Sequence, residues 1–303
     1  MTFRTFLKKV KKKLFLNFRV KKIDKITKEN NLKIMNTIET LDYIIANKCS
    51  IARFGDGELR MIFKNINISF QSYSNTLSEK LRETLLANEN NNLLICIPFL
   101  LIDHNSLSNS FAKKVWKTFK HDYMMDIHNL LGKNYPYVFG DSFISRPYMD
   151  FQDYEKANLV FKKFKSIWNE QNIVIVEGSK TRLGIGNDLF DNAKSIKRIL
   201  VPSKGAYDKI DSIKEAILKN TSQKDLILLA VGPTATILAS DLSKQGLWSL
   251  DIGHIDIEYE WFLRKATKKI NIHEKSVIEV PGGEHVDTCN NENYNRQIIF
   301  QIE

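Results

Sequence analysis

Past residue 35, apolar positions alternate between two spacings along the chain. Residues 37–48 carry Ile38, Leu41, Ile44 and Ile45 at steps of three and four, which places them on one helical face. Residues 50–54 read as a short strand that runs into the tight turn Gly55-Asp56-Gly57. Residues 76–88 predict a second amphipathic helix. Residues 92–98 predict a strand that is apolar throughout its centre, as a strand covered on both faces must be. A helix is expected over 108–120, while 135–139 and 143–146 are apolar without a clear period.

From Tyr154 the alternation is regular. A helix to about residue 170 precedes a strand at 172–177, a glycine-containing loop and a short helix. A strand at 198–201, a helix at 207–218, a strand at 226–231, a helix at 234–244 and a strand ending near Asp256 follow. Strands separated by helices of ten or more residues imply βαβ units and a mainly parallel sheet with helices on both faces. Such sheets bind ligands beyond the carboxyl ends of their strands. That rule singles out the loops at 55–58, 177–187, 202–207, 232–236 and 254–260. With no internal repeat and no low-complexity linker, residues 35–303 read as one domain.

The amino-terminal segment, residues 1–30, has a different character. Phe3, Leu7, Val10, Leu14 and Phe18 share one helical face, and Lys8, Lys9, Lys11, Lys12 and Lys13 mostly occupy the rest of the circumference. Residues 1–23 hold nine basic residues and no acid, so residues 24–303 carry a formal charge of only +1 of the chain's +10. This predicts a basic amphipathic helix for an anionic membrane surface, or one docked on protein. The near-neutral remainder argues against extensive contact with nucleic acid. No run of about 18 apolar residues is present to span a bilayer, and the lysines precede no signal-peptide core. Cys49, Cys96 and Cys289 are odd in number and widely spaced, which suggests neither a disulfide framework nor a structural zinc site. A cytoplasmic protein, peripheral on the inner membrane face through its arm, is the expectation.

Four segments carry candidate chemistry. In the first, Asp56 and Glu58 sit two residues apart at a strand end, where paired carboxylates can hold a hard divalent cation. Gly55 and Gly57 permit the turn, and Arg53 and Arg60 add positive charge for phosphate oxygens. In the alternative reading Asp56 merely caps a helix starting near Glu58. In the second, Glu177 ends a strand, Lys180 and Arg182 follow, and Gly184, Gly186, Asn187 and Asp188 open a helix, a diphosphate cradle or a simply capped helix entrance. In the third, Gly232-Pro233-Thr234 begins a helix whose Thr234 or Thr236 can bond phosphate or ribose, and Ser203-Lys204-Gly205 is a similar turn. In the fourth, His254, Asp256, Glu258 and Glu260 gather near a strand end. There His254 is a candidate metal ligand beside Asp56 and Glu58, and Asp256 or Glu258 a candidate general base. The grouping His121, Asp122, Asp126 and His128 reads as a solvated helical face.

The run Arg53-Phe54-Gly55-Asp56-Gly57-Glu58 resembles the signature of the GT-D-fold glycosyltransferases, a bacterial family with a DxE metal motif. Residues 175–190, 229–235 and 250–261 are similar to further segments of that family, in the expected order. The resemblance implies a Rossmann-like fold and a nucleotide-sugar donor, often linked to UDP. It also implies a Mn²⁺ or Mg²⁺ ion and a surface-glycan or glycoprotein acceptor. The reaction expected from it leaves negative charge on the β-phosphate, which a cation on Asp56 and Glu58 would stabilise with help from Lys180 and Arg182. The sequence also admits a metal-dependent phosphotransferase or phosphohydrolase, or a non-catalytic binding module.

Overall fold

Successive residues of a strand point to opposite faces of a sheet, and the two apolar cores separate accordingly. In the computed structural model, residues 3–87, 92–133 and 135–303 are described, with the side chains of 3–10, 12, 13 and 105 outside the description. The strands are β1 (Lys33–Ile34), β2 (Ser50–Arg53), β3 (Leu93–Ile97), β4 (Val138–Asp141), β5 (Asn172–Gly178), β6 (Ser195–Val201), β7 (Asp225–Ala230), β8 (Trp248–Asp251) and β9 (Ile298–Gln301). Among the described residues these nine form one sheet in the order β1-β4-β3-β2-β8-β7-β5-β6-β9. Every pairing is parallel.

The helices are α1 (Phe3–Glu29), α2 (Thr37–Asn47), α3 (Asp56–Lys64), α4 (Asn75–Leu86), α5 (Ser110–Leu131), α6 (Tyr154–Trp168), α7 (Ile210–Asn220), α8 (Pro233–Ser243), α9 (Ile255–Leu263) and α10 (Glu292–Gln297). One sheet face presents Ala52, Ile95, Val174, Val176, Ile227 and Leu229 to α3, α4, α5, α7 and α8. The other presents Ile51, Leu94, Ile173, Ile175, Leu226, Leu228 and Leu250 to α2, α6 and α9. The architecture is thus the α/β, Rossmann-like one expected, with both faces covered.

Local chemistry explains several boundaries. Asn36 caps α2 by accepting from the Ile38 and Glu39 N–H groups at 3.0 and 3.1 Å, while Glu39 accepts from the Asn36 N–H at 2.8 Å. Helix α5 extends to Leu131, past the expected end at 120, because Tyr123, Met124, Ile127 and Leu131 continue the buried stripe through the intervening polar residues. The acids and histidines of that stretch do not converge. His121 bonds Asp122, Asp126 pairs with Lys64, and buried His128 meets Thr27 of α1.

The aperiodic region resolves into β4 and a 3₁₀ turn, Ser142–Ser145. Gly140 interrupts the apolar pattern there, yet the strand needs it. A Cβ at Gly140 would come within 2.6 Å of Cys96 Sγ.

Two expected elements differ. No helix follows Gly184, because Arg182, Gly184 and Gly186 have φ of 53°, 79° and 76°, in the left-handed region that a right-handed helix excludes. The strand expected to end near Asp256 stops at Asp251, and α9 begins at Ile255. Ile255 through Phe262 are all buried, so no polar positions mark the helical period.

Helix α1 lies along α5 through Val20, Ile23 and Thr27. Thr27 Oγ1 is 3.0 Å from His128 Nε2, and buried Lys120 pairs with Asp24. The expected arm stripe falls partly outside the description, since the side chains of Phe3, Leu7 and Val10, and of Arg4, Lys8, Lys9, Lys12 and Lys13, are not described.

Candidate active site

Strands β2 and β8 are adjacent, but the chain leaves them on opposite faces, to α3 after β2 and to α9 after β8. Diverging connections leave a crevice above the strand ends, the place where open α/β sheets bind ligands. A cleft of about 490 Å³ occupies it. Its walls come from the ends of β2, β5, β6, β7 and β8, Arg146 just past the turn that follows β4, the start of α3, the 67–71 loop and residues 276–279.

The acidic pair forms the β2 wall. Gly55 caps α3, and the Glu58 carboxylate reaches back to accept from the Gly55 N–H at 2.8 Å. Asp56 is therefore the first helical residue and not the cap. Its side chain is 55% exposed and pairs with Arg60 at 3.3 Å. Burial, with the charges of Asp251 and Asp56 adding to it, pushes the Glu58 carboxyl up to about 7. Asp56, Gly57, Glu58 and Arg60 all line the cleft.

Arg53 and Asp251 form its floor. Arg53 Nη2 is 2.7 Å from Asp251 Oδ1, Nε donates to the Asp251 carbonyl at 2.7 Å, and Nη1 donates to the Ser142 carbonyl at 3.0 Å. Thr236 Oγ1 donates to the Arg53 carbonyl at 2.9 Å, tying α8 to the same point. Burial raises the Asp251 pKa, and the Arg53 guanidinium opposes the rise. Gly253 has a φ of 40° and lies so close to Arg53 Nη2 that a Cβ would overlap it.

A cationic cluster stands on the remaining side. Glu279 Oε1 lies 2.7 Å from Arg146 Nη2, 3.2 Å from His254 Nε2 and 3.7 Å from Lys269 Nζ. Burial disfavours the Glu279 carboxylate, but His254, Arg146 and Lys269 hold its pKa far below the usual range. Burial and Arg146 lower the His254 pKa, and the Glu279 carboxylate opposes the fall. The expected metal ligand His254 thus lines the cleft with its ring nitrogen on Glu279. Among the described residues, no three His, Cys, Asp or Glu side chains group to hold a metal ion.

The 177–187 segment contributes less than expected. It gives the cleft Gly178, Thr181 and Leu183. Glu177 is fully buried, 2.6 Å from Arg198 Nη1, and accepts from the Leu183 N–H and the Tyr294 hydroxyl. Arg182 is buried and donates to the carbonyls of Glu274 and Asp287, fastening the C-terminal segment. Lys180 is exposed and does not border the cleft, nor do Gly184 and Gly186. Asn187 Nδ2 donates to Asp256 Oδ1 at 2.8 Å and to Glu260 Oε1 at 2.7 Å.

Neither residue expected as base lines the cleft. Asp256 is buried against Lys275 Nζ at 2.7 Å and accepts from the Gly184 N–H at 2.9 Å. Glu258 Oε2 accepts from the N–H groups of Tyr148 and Met149, both at 2.9 Å, and burial pushes its pKa up to about 7. Thr234 is fully buried in the first turn of α8, whose N-cap Gly232 does border the cleft.

Asp251, Arg146, Glu279 and the 67–71 loop escaped the sequence reading. Only Asp251 carried a local signal, as an acid closing a short buried strand. The others reach the cleft from distant segments.

The family model described as "Glycosyltransferase GT-D fold" matches residues 51–280. The chain is 36% identical over 276 residues to "Probable glycosyl transferase Gly" of Streptococcus gordonii, covering 90% of this chain and 39% of that protein. It is 37% identical over 271 residues to "Glycosyltransferase GlyD" of Streptococcus pneumoniae serotype 4, covering 89% of this chain and 33% of that one. It thus spans roughly two fifths and one third of the lengths of these relatives. A solved domain of unknown function 1792, described as having a distinct glycosyltransferase fold, superposes with a TM-score of 0.86 at 34% identity, over 95% of this chain and 100% of that one. A glycosyltransferase of the same domain type from Streptococcus sanguinis gives 0.83 at 33% identity, over 90% and 100%. By sequence over most of its length and by fold, the chain belongs to the GT-D-fold glycosyltransferase family.

Proposed function

We propose that the chain moves a sugar from a nucleoside-diphosphate donor, of the uridine type, to a hydroxyl of a surface glycan or glycoprotein. The observation that carries this reading is the cleft itself, which collects an acidic pair, cationic side chains and the amino end of α8 in one crevice. The carboxylates fit a hard divalent cation, Mn²⁺ or Mg²⁺. Asp56 is exposed to the cleft, and the charges of Asp56 and Asp251 crowd Glu58, an excess of negative charge that a cation would relieve. Asp56 and Glu58 would hold the ion, and its chemistry there is to neutralise a departing diphosphate.

The remaining work falls to the chain. Arg146, balanced by Glu279, and Arg60, beside Asp56, are the cleft's cationic side chains for phosphate oxygens. Arg53 has its three guanidinium nitrogens committed to Asp251 and Ser142, so it acts as a fixed charge that holds the floor. The positive end of α8 at Gly232 favours anionic groups.

A thermal-shift screen of nucleotide sugars with and without Mn²⁺ tests the reading. Stabilisation by one donor only in the presence of metal, lost in Glu58→Gln, is the expected result. Equal donor stabilisation in a chelator would remove the cation from the site. Release of inorganic phosphate, with no free nucleoside diphosphate, would turn the reading into a phosphohydrolase.

A further inference from the structure

Among the described residues, helix α1 packs on the fold through one side. Val20, Ile23 and Thr27 are 3%, 6% and 6% exposed against α5, whereas Leu14, Phe15 and Phe18 are 61%, 55% and 70% exposed. At about 100° per residue, Leu14, Phe15 and Phe18 span one arc whose centre lies roughly 160° from that of Val20, Ile23 and Thr27. The apolar trio therefore points away from the protein and cannot be covered by bending α1 further onto α5. In the sequence, Phe3, Leu7 and Val10 continue the same row at steps of three and four, though their side chains lie outside the description.

Charge follows the same side of the helix. Lys21, Lys22, Lys25 and Lys28 are all exposed beyond the trio. Acids do little to offset them. Asp24 is taken by buried Lys120, and Glu29 reaches only Lys25, at 3.8 Å. The chain's net positive charge resides almost wholly in this helix, with nine basic residues and no acid in residues 1–23.

We infer that the outward face of α1 docks on a lipid bilayer bearing anionic headgroups. The trio would enter the interfacial region, and the lysines that follow would lie at headgroup level. Each cation near such a surface raises partitioning about fivefold, so a cluster without offsetting acids is a strong attractor. A second copy of the chain is a poor occupant, because pairing two such faces would bring two clusters of cations together. No helix among the described residues is long and apolar enough to cross a membrane, so the attachment is in-plane. The inference stands apart from the transfer reaction.

Co-sedimentation of the full chain with vesicles tests this. Equimolar phosphatidylglycerol and phosphatidylcholine should pellet the protein at about 0.1 M salt, and raised salt should weaken the binding. Phosphatidylcholine alone should leave it in the supernatant. The variant Leu14→Ser/Phe15→Ser/Phe18→Ser should keep its melting temperature and donor-dependent turnover while losing at least tenfold in partitioning. Failure of the native chain to pellet, or equal pelleting by the triple variant, overturns the inference. So does a dimer that the triple substitution converts to monomer, which would assign the face to a second copy.

Discussion

Arg53 and Asp251, 198 residues apart in sequence, meet across neighbouring parallel strands, with Nη2 and Oδ1 2.7 Å apart at the bottom of the cleft. The pair is nearly buried, with side-chain exposures of 13% and 5%, so each charge depends on the other for compensation. It also fixes β2 against β8 just where the connections diverge, and so sets the position of the Asp56–Glu58 turn.

Asp251→Ala should destabilise the protein by about 3 kcal/mol, because it leaves the guanidinium buried and uncompensated. Arg53→Met/Asp251→Leu should recover much of that loss. A double-mutant cycle from urea denaturation measures the coupling. Single-substitution losses that simply add would show that the two side chains act independently.

Asp256 and Glu260 share the ammonium of Lys275, at 2.7 and 2.9 Å, and all three side chains are at most 1% exposed. Lys275→Met should strand two buried carboxylates and destabilise the fold by about 3–5 kcal/mol. Asp256→Asn should lose stability but keep turnover within a few fold in protein that remains folded. A general base would instead lose roughly 10²–10⁴ in rate, and that result would return Asp256 to the chemistry.

Gly232 has a φ of 59° and a ψ of −143°, a conformation for which side chains other than glycine's are poorly suited. A Cβ there would also overlap the Phe70 ring, in the loop whose Phe70 carbonyl accepts from the Gly205 N–H at 2.8 Å. Gly232→Ala should lower stability by about 1–3 kcal/mol through strain and weaken donor binding by displacing the 67–71 loop. Adding Phe70→Ala should restore part of the stability. Unchanged melting and unchanged donor KM in the single variant would count against this view of the turn.

Burial pushes the Glu258 pKa from an ordinary 4.5 to about 7. Between those values the folded protein holds a proton that the unfolded chain has released, so stability falls as pH rises through the window. Glu258→Gln should therefore match the native chain below about pH 4 and exceed it above pH 7, by roughly 3 kcal/mol. Glu58 shifts in the same direction, so the measurement is the difference between the two proteins' melting temperatures across pH. Parallel curves would mean that Glu258 titrates as an ordinary carboxyl.

The amino-acid order by itself determined the alternation of strands and helices, because burial writes a period of two or of three to four into the apolar positions. It located α2, α4, α6, α7 and α8 within a few residues. It brought out Asp56 and Glu58, because the strand end, the glycines and the acids that make that wall are adjacent in the chain. It misplaced the ends of β8 and α5 and the supposed helix after Gly184. Full burial of α9 erases its period, a polar stretch masks the stripe of α5, and the left-handed turns at Arg182, Gly184 and Gly186 have no fixed signature.

Only the tertiary structure decided which charged residues face the cleft and which hold the fold together. Glu177, Arg182, Asn187 and Asp256 look like binding groups in sequence. Arg198, main-chain carbonyls, the Asp256 and Glu260 carboxylates and Lys275 satisfy them internally. Asp251, Arg146 and Glu279 reach the site from β8, the turn after β4 and the segment after α9. Charge type is a property of the residue, but whether a charge is compensated inside the protein or left facing a ligand depends on neighbours that the chain order does not name.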